Sequence, residues 1–344
     1  MLRRTSQSKE YRAGRSGLPG TRTQKEGMIV SSIKGAGIPI HQMAPRRRKG
    51  EKFWRGVVTA CGLLIILLTL SIGLFLVVKG MGTFSKFHHT VWEFLFSSQW
   101  APMDSATEGG GSVGAAIYIF GSLLTCGLAL LLVTPFSLAV AIFMTEISPN
   151  LGTRLFQPAV EIYVGIPSVV YGWIGLTVLV PVVRDVFHAP MGGYSVLAAA
   201  IVLAVMIFPT ITTVAADAIR SVSSDYRDAA YGLGATRWQV ISHVMVPAAG
   251  PGIITGVVLG LARAFGEALA VAMVIGKTRA FPQSLLYPTS NLTTAIAADM
   301  GNSADGGEHN LALWTMALLL FLISMLFIFI IHAISGKGKK YHAQ

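Results

Sequence analysis

Six long apolar stretches, separated by polar segments, dominate the pattern of hydrophobic and polar positions along this chain. A helix that crosses the hydrocarbon core of a bilayer needs about 20 predominantly apolar residues. Within these stretches the polar residues do not alternate at the period of two that a transmembrane β-strand requires. The pattern predicts an all-α polytopic membrane protein with six transmembrane helices, near 54–78, 115–143, 159–183, 194–216, 251–276 and 311–334.

Composition and charge distribution agree with this prediction and suggest an orientation. The chain has 344 residues, of which 53% are hydrophobic and 12% are charged, whereas soluble domains carry about 25% charged residues. Most of the 27 Lys and Arg residues fall in the segments that share a side with the two termini. Because Lys and Arg are enriched in cytoplasmic loops, we expect a multi-pass protein whose N- and C-termini are both cytoplasmic.

The predicted organisation has four parts. Residues 1–52 are basic and rich in Gly, Ser and Pro, so we expect a disordered cytoplasmic tail that touches anionic membrane lipid. No nucleic-acid reader domain follows this tail, and no nucleic-acid partner is expected. Residues 53–111 should hold the first transmembrane helix and an external loop, and 337–344 a second basic tail. The transmembrane core should occupy 112–336, with a cytoplasmic loop at 217–250.

The loop between the fourth and fifth stretches contains SDYRDAAYGLGATRWQVISHVMVP, which predicts two short helices joined by a sharp turn. Ser224 is a candidate N-cap, and Gly234 can end the first helix in a left-handed conformation. Thr236 and Gln239 have the spacing of a capping box, which would open the second helix. Pro247 should end that helix. The segment is therefore expected to form a helical hairpin.

Two functions are compatible with such a hairpin. It can be a solvated connector between two spans. Alternatively, Ala229 and Ala230 leave a nearly flat surface that another protein could approach closely. The well-formed turn and caps favour a docking surface over a connector.

The same segment resembles the EAA loop of ABC-importer permeases, in which EAA is followed at fixed spacing by Gly and by a terminal I-x-L-P. Here the pattern is Asp228-Ala229-Ala230, then Gly234, then VMVP at 244–247. Asp replaces Glu, and Val replaces Ile and Leu. The resemblance implies a type I ABC-importer permease fold, in which this loop is the coupling helix that docks on an ATPase subunit. It also implies that Asp228, Ala229, Ala230 and Gly234 are contact residues.

Two further segments resemble the phosphate-specific permeases of this family: IPSVVYGWIGL at 166–176 and the stretch 235–276, which ends in GEALAVAMVIG. The GEALAVAMVIG ending and the external segment SLLYPTSNLTTAIAADM at 284–300 are more similar to the PstC-type subunit than to the PstA-type subunit. The resemblance implies a non-catalytic importer subunit of the bacterial cytoplasmic (inner) membrane that carries inorganic phosphate. Its partners would be a PstA-type permease, a PstB-type ATPase dimer that binds the ATP, and an extracytoplasmic PstS-type phosphate-binding protein.

Other cargoes and classes stay open at this point. A permease for sulfate or molybdate, or a PstA-type subunit, would share most of these features. A secondary transporter should show an inverted repeat, and the chain has no convincing one. An anion channel would have no use for a docking loop. The eight histidines show no metal-ligand spacing, and we expect neither a metal nor a catalytic site in this chain.

Arg263 and Glu267 are charged residues within the fifth apolar stretch, where each is costly to insert into a bilayer. Four positions apart on one helix, they could form a structural ion pair. A guanidinium also binds phosphate in a bidentate manner, and the family resemblance implies that this pair lines the translocation path. Ser168 and Tyr171, beside Pro167, are weaker candidates for the path; they could instead mark only a kink.

Overall fold

The structure is a computed structural model that describes residues 49–103 and 110–341. The tail predicted at 1–52 falls almost wholly outside the described residues, and so do the last three residues of the tail predicted at 337–344. The chain divides into two compact units, 1–65 and 66–344. The described part of the first unit is helical.

The described residues form sixteen α-helices and one two-stranded antiparallel sheet. The strands are β1 (Trp100–Ala101) and β2 (Ser112–Val113), with Trp100 opposite Val113 and Ala101 opposite Ser112. Wider π-helical turns occur at Phe143–Ile147, Gly152–Phe156, Gly175–Leu179 and Ile241–Met245, and 3-10 turns at Met191–Gly193 and Met300–Asn302. The helices are α1 (Lys49–Gly80), α2 (Gly82–Ser85), α3 (Val91–Phe96), α4 (Ala116–Ile142), α5 (Pro149–Leu151), α6 (Gln157–Gly165), α7 (Ser168–Ile174), α8 (Val180–Phe187), α9 (Val196–Arg220), α10 (Ser224–Gly232), α11 (Arg237–Val240), α12 (Val246–Ala248), α13 (Gly250–Gly266), α14 (Leu269–Ala272), α15 (Leu292–Asp299) and α16 (Glu308–Tyr341).

The described part of the chain has five helices that are long and apolar enough to cross a membrane, and a sixth if one bent pair counts as a single span. The bent pair is Arg237–Ala248 with Gly250–Gly266, at 65°. The architecture is therefore the predicted all-α polytopic one.

The third span differs from its predicted bounds of 159–183. The helix breaks after Gly165, where Ile166 and Pro167 are extended, and resumes as Ser168–Phe187. Proline disfavours helical backbone at the residue before it, which explains the break at Ile166. Only the part after Pro167 forms the span, and α6 precedes it as a separate helix.

The most buried spanning helix is α9, which packs against α4 and α13. Small residues allow these contacts. Ala198, Ala199 and Ala200 are fully buried, and a Cβ added at Gly260 of α13 would lie 2.6 Å from Ile211 of α9. Close approach through small residues is the usual way in which membrane helices associate. The core of the second unit is therefore centred on α9.

The distal end of the helices is the end away from the hairpin formed by α10 and α11. It contains the start of α4 and the chain between α14 and α16. Between α14 and α16 the chain packs back onto the start of α4, where the Ser122 hydroxyl accepts a hydrogen bond from Leu292 N at 3.0 Å. A Cβ on Gly121 would collide with the carbonyl oxygen of Ser290. Glycine at this position therefore allows the 289–294 segment to sit against α4.

A buried carboxylate joins two loops at the distal end. Glu308, fully buried at the start of α16, accepts hydrogen bonds from the backbone amides of Met103 at 2.6 Å, Gly110 at 3.2 Å and Gly111 at 3.1 Å. It also bonds to Nε2 of His89 at 2.8 Å. A buried charge needs such partners, and these four contacts satisfy it.

Candidate functional site

The predicted hairpin is present, with one cap shifted by a residue. Ser223, and not Ser224, caps α10: its hydroxyl accepts from the amide of Asp225, and its extended backbone (φ −57°, ψ 138°) is the one that an N-cap needs. Gly234 has the expected left-handed conformation, with φ of +80°. The capping box between Thr236 and Gln239 is also confirmed.

Pro247 does not end the second helix of the hairpin, contrary to the sequence prediction. The chain continues from α11 through the π-helical turn at Ile241–Met245 into α12, and Pro247 lies in the first turn of α12. The wider π-helical turn directly before Pro247 lets the chain pass the proline without ending the helix. The helix bends only after Ala248, at the 65° junction with α13.

The four residues predicted to contact an ATPase lie on the hairpin with different exposure. Asp228, Ala229 and Gly234 are exposed, and Ala230 is half-buried. Between them Leu233 is 91% exposed, which is unusual for a large apolar side chain at the water-facing end of a helix. The exposed backbone turn and this leucine present a small apolar surface with one acidic residue beside it.

Two arginines attach the hairpin to the end of the second span, a connection that the sequence analysis missed. Arg227 Nη2 donates to the carboxylate of Glu146 at 2.7 Å. Arg237 donates to the backbone carbonyls of Ile147, at 2.9 Å, and of Glu146. Cations at a helix C-terminus are favoured by the helix dipole. The position of Glu146, directly after the charge-free run from 109 to 145, was the available signal.

Arg263 lies on α13 with its guanidinium exposed, and its Nη1 donates to the hydroxyl of Thr210 on α9 at 3.0 Å. Thr210 lies 14 positions after Val196, the first residue of α9, and 10 positions before Arg220, the last. At a rise of 1.5 Å per residue, it is roughly 21 Å from the start of α9 and about 15 Å from its end. The charge is therefore near the middle of the span. Thr210 was not predicted, although the adjacent Pro209 and two further threonines marked a polar stretch.

The predicted pairing of Arg263 with Glu267 is not formed. Helix α13 ends at Gly266, and Glu267 is extended (φ −81°, ψ 117°), so the two side chains do not share a helix face. Oε1 of Glu267 instead accepts from the amide of Ala270 at 3.1 Å, in the first turn of α14. The carbonyl of Glu267 accepts from the Thr293 hydroxyl at 2.9 Å. Glu267 thus holds the broken end of the fifth span.

Tyr171 and Ser168 lie on α7, next to this break. The Tyr171 hydroxyl donates to the carbonyl of Tyr163 across the Pro167 break at 2.8 Å. Ser168 is half-buried in the first turn of α7. Four residues later, a Cβ on Gly172 would lie 2.7 Å from Ala270 Cα. Close packing at Gly172 therefore joins α7 to α14, the short helix that follows Glu267.

Among the described residues, no group of three or more His, Cys, Asp or Glu side chains could hold a metal ion.

Comparison with known proteins gives one matching family model and many relatives. Residues 135–340 match the family model described as "Binding-protein-dependent transport system inner membrane component". The chain is 48% identical to the probable ABC transporter permease protein YqgH of Bacillus subtilis, over 85% of this chain and 93% of that one. It is 33% identical to the phosphate transport system permease protein PstC of Haemophilus influenzae, over 80% and 89%.

A solved structure supports the fold. A chain of a bacterial alginate ABC transporter, in complex with an alginate pentasaccharide-bound periplasmic protein, aligns with a TM-score of 0.51 and 15% identity. The alignment covers 83% of this chain and 97% of that one. At this identity the likeness concerns the arrangement of helices, which is the type I importer permease fold.

Proposed function

This chain belongs to the family of binding-protein-dependent transport system inner membrane components, and from that premise we propose that it is the permease subunit of an ATP-driven importer of inorganic phosphate. As a multi-pass protein of the inner membrane it provides the path. The hydrolysis of ATP belongs to a partner. The exposed hairpin, which two arginines attach to the second span, carries the proposal. A transport protein that uses no partner ATPase would not need such a docking surface.

The hairpin supports docking of an ATPase. Its turn at Gly234 and the exposed side chain of Leu233 form a surface that a groove on another protein can receive. Arg227 and Arg237 connect that surface to the end of the second span. A displacement of the hairpin is therefore passed directly to α4, which packs against the central helix α9. Such rigid-body movement is one of the common ways in which proteins switch between states.

Phosphate is the cargo that Arg263 favours. Its guanidinium is exposed near mid-span, where an unpaired positive charge is costly unless it faces a polar path or an anion. Its hydrogen-bond partner among the described residues is neutral, the Thr210 hydroxyl, so an anion can take up its remaining donors. Guanidinium groups bind phosphate in bidentate fashion. Several relatives, including that of Haemophilus influenzae, are phosphate transport permeases.

The proposed complex contains a PstA-type permease, a PstB-type ATPase dimer and an extracytoplasmic PstS-type phosphate-binding protein. The hairpin and both termini are cytoplasmic, and the distal end faces outward. Asp228, Ala229, Ala230 and Gly234 contact the ATPase. Closure of the ATPase dimer on ATP pulls the hairpin and opens or closes access to Arg263 from one side of the membrane.

Uptake by proteoliposomes tests this function. The complete complex should import phosphate only with its binding protein and internal ATP. Arg263→Gln should reduce uptake by at least tenfold while the complex still assembles, because the amide cannot supply the positive charge. Arg184→Gln is the matched control, since Arg184 is exposed and its ion-pair partner in the described part of the chain is its neighbour Asp185. Normal uptake by Arg263→Gln would refute the role of Arg263.

The same assay separates the alternatives. Import of sulfate or molybdate in place of phosphate would identify another oxyanion permease. Uptake that continues without ATP would indicate a channel or a secondary transporter. Either result would overturn the proposed function.

A further inference from the structure

A small polar cavity lies at the distal end, where α4 begins. Its volume is about 60 Å³. Pockets for organic ligands have roughly 300–1,000 Å³, and a water molecule takes about 30 Å³ in the liquid, so the cavity suits a small inorganic ion. The polar residues that line it are Tyr118, Lys277, Arg279, Ser290, Thr294 and Asp299.

Two hydroxyl groups in the cavity have no hydrogen-bond partner among the described residues. Tyr118 is 1% exposed and its hydroxyl is buried without a partner. A buried polar group is normally satisfied, so the Tyr118 hydroxyl is a donor that a ligand in the cavity can use. The Ser290 side chain also lines the cavity, and its hydroxyl has no partner within the described ranges.

The charges around the cavity favour an anion. Lys277 forms no ion pair with any described residue, and Arg279 Nη2 binds Asp299 Oδ2 at 3.1 Å. Nε2 of His309 lies 3.8 Å from the same carboxylate oxygen. The permanent cations Lys277 and Arg279 thus line the cavity together with one carboxylate, which leaves a net positive charge.

Lys277 also has a left-handed backbone, with φ of +49°. This conformation is unfavourable for a residue with a Cβ. The hydrogen bonds of Thr278 N to Thr289 O and of Thr289 N to Ile275 O hold it in place. These neighbouring hydrogen bonds therefore hold the backbone of Lys277 at the rim of the cavity.

We propose that this cavity binds a small inorganic oxyanion of the phosphate type at the distal end, before the anion reaches Arg263. The Lys277 ammonium and the Tyr118 and Ser290 hydroxyls are the donors, and Arg279 adds donors when it turns from Asp299 to the anion. The order of the two sites rests on the proposed function. Binding in the cavity does not depend on it.

Chemical protection tests the site in the full chain assembled with its partner subunits. Ala298 lines the cavity and carries no polar group, so Ala298→Cys places a thiol there while every donor is retained. Its reaction with N-ethylmaleimide is followed by mass spectrometry of the peptide that contains position 298. Inorganic phosphate should slow the reaction at least fivefold relative to chloride at the same ionic strength.

Variants on the Ala298→Cys background identify the donors. Lys277→Gln should raise the phosphate concentration that gives half-protection about tenfold, and Tyr118→Phe about threefold. Lys79→Gln is the matched control, since Lys79 pairs with Asp305 and does not line the cavity. It should leave protection unchanged.

The outcomes separate this site from the proposed function. Uptake of phosphate without protection at position 298 would overturn the cavity site and leave the function intact. Protection without phosphate uptake would support the site and reject the function. Equal shifts with Lys277→Gln and Lys79→Gln would show a general charge effect and overturn the site.

Discussion

Replacing Glu146 by Gln tests whether the hairpin transmits force through its arginine contacts. Gln has nearly the same shape and keeps an oxygen that can accept from Arg227, but it removes the negative charge. The Glu146 side chain is 9% exposed and that of Arg227 is 38% exposed, with 2.7 Å between Oε1 and Nη2. The substitution therefore changes the charge of one largely buried contact and little else.

The size of the effect follows from the strength of that contact. Hydrogen bonds to charged groups contribute about 1.5–3 kcal/mol, and neutral ones about 0.5–1.5 kcal/mol. Because solvent screens the half-exposed Arg227, the lower end of each range applies, and the difference is about 1 kcal/mol. That corresponds to roughly a fivefold lower ratio of attached to detached hairpin. Arg237 still holds the carbonyls of Glu146 and Ile147, so the complex should assemble.

The assay is phosphate imported per ATP hydrolysed in proteoliposomes. We expect this ratio to fall by up to about fivefold in Glu146→Gln, while hydrolysis of ATP continues. Glu161→Gln is the matched control, because Glu161 is exposed and its carboxylate accepts a hydrogen bond from Gln157 rather than from an arginine of the hairpin. The double variant Glu146→Gln with Arg227→Gln should be no worse than the worse of the two single variants. Fully additive losses would show that the two residues act separately and would refute the mechanism.

Three other features can be tested by single changes or by pH. Gly234→Ala should destabilise the hairpin by about 1 kcal/mol, because a residue with a Cβ is unfavourable at the left-handed φ of +80°, even though the added Cβ would have open space around it. Amide hydrogen exchange in the hairpin measures this destabilisation, and unchanged exchange would contradict it. Gly121→Ala should lower the thermal stability of the chain in detergent by about 1–3 kcal/mol, because its Cβ would meet the carbonyl of Ser290; an unaltered melting temperature would exclude the clash. Burial lowers the pKa of His89, but its hydrogen bonds to two carboxylates and their negative charge raise it by more, so its net pKa is above 6.5. The protonated imidazole therefore stabilises the distal end fully below about pH 6.5, and this contribution is lost as pH rises through the higher pKa of the folded state. Exchange of the Met103 amide should accelerate accordingly, and His89→Gln should remove the pH dependence.

Local chemistry was the part of the structure that could be predicted from the sequence. The hairpin depends on contacts within a few residues, and the turn at Gly234 and the box between Thr236 and Gln239 form as expected. The errors were also local. Ser223 and Ser224 are both capable caps, and Pro247 is compatible with a helix start as well as with a helix end.

Contacts between distant segments could not be predicted in this way. Hydropathy located the spans, but it did not show that α13 ends at Gly266. That end depends on two hydrogen bonds of Glu267: its side chain accepts from the amide of Ala270, and its backbone carbonyl accepts from the hydroxyl of Thr293. Arg227 is 81 positions from Glu146. No periodicity links such residues, and only the packing of α4 and α9 brings the hairpin to that helix end. The path-lining roles of Arg263, Glu267, Ser168 and Tyr171 remain predictions.

The carboxylate of Glu308 has a consequence for the order of biosynthesis. The amides it satisfies, at Met103, Gly110 and Gly111, emerge from the ribosome about two hundred residues before it does. Until Glu308 at the start of α16 is made, these three amides lack the carboxylate that they bind in the folded chain. A segment translated late therefore completes one translated early, and a chain truncated before Glu308 loses all three contacts.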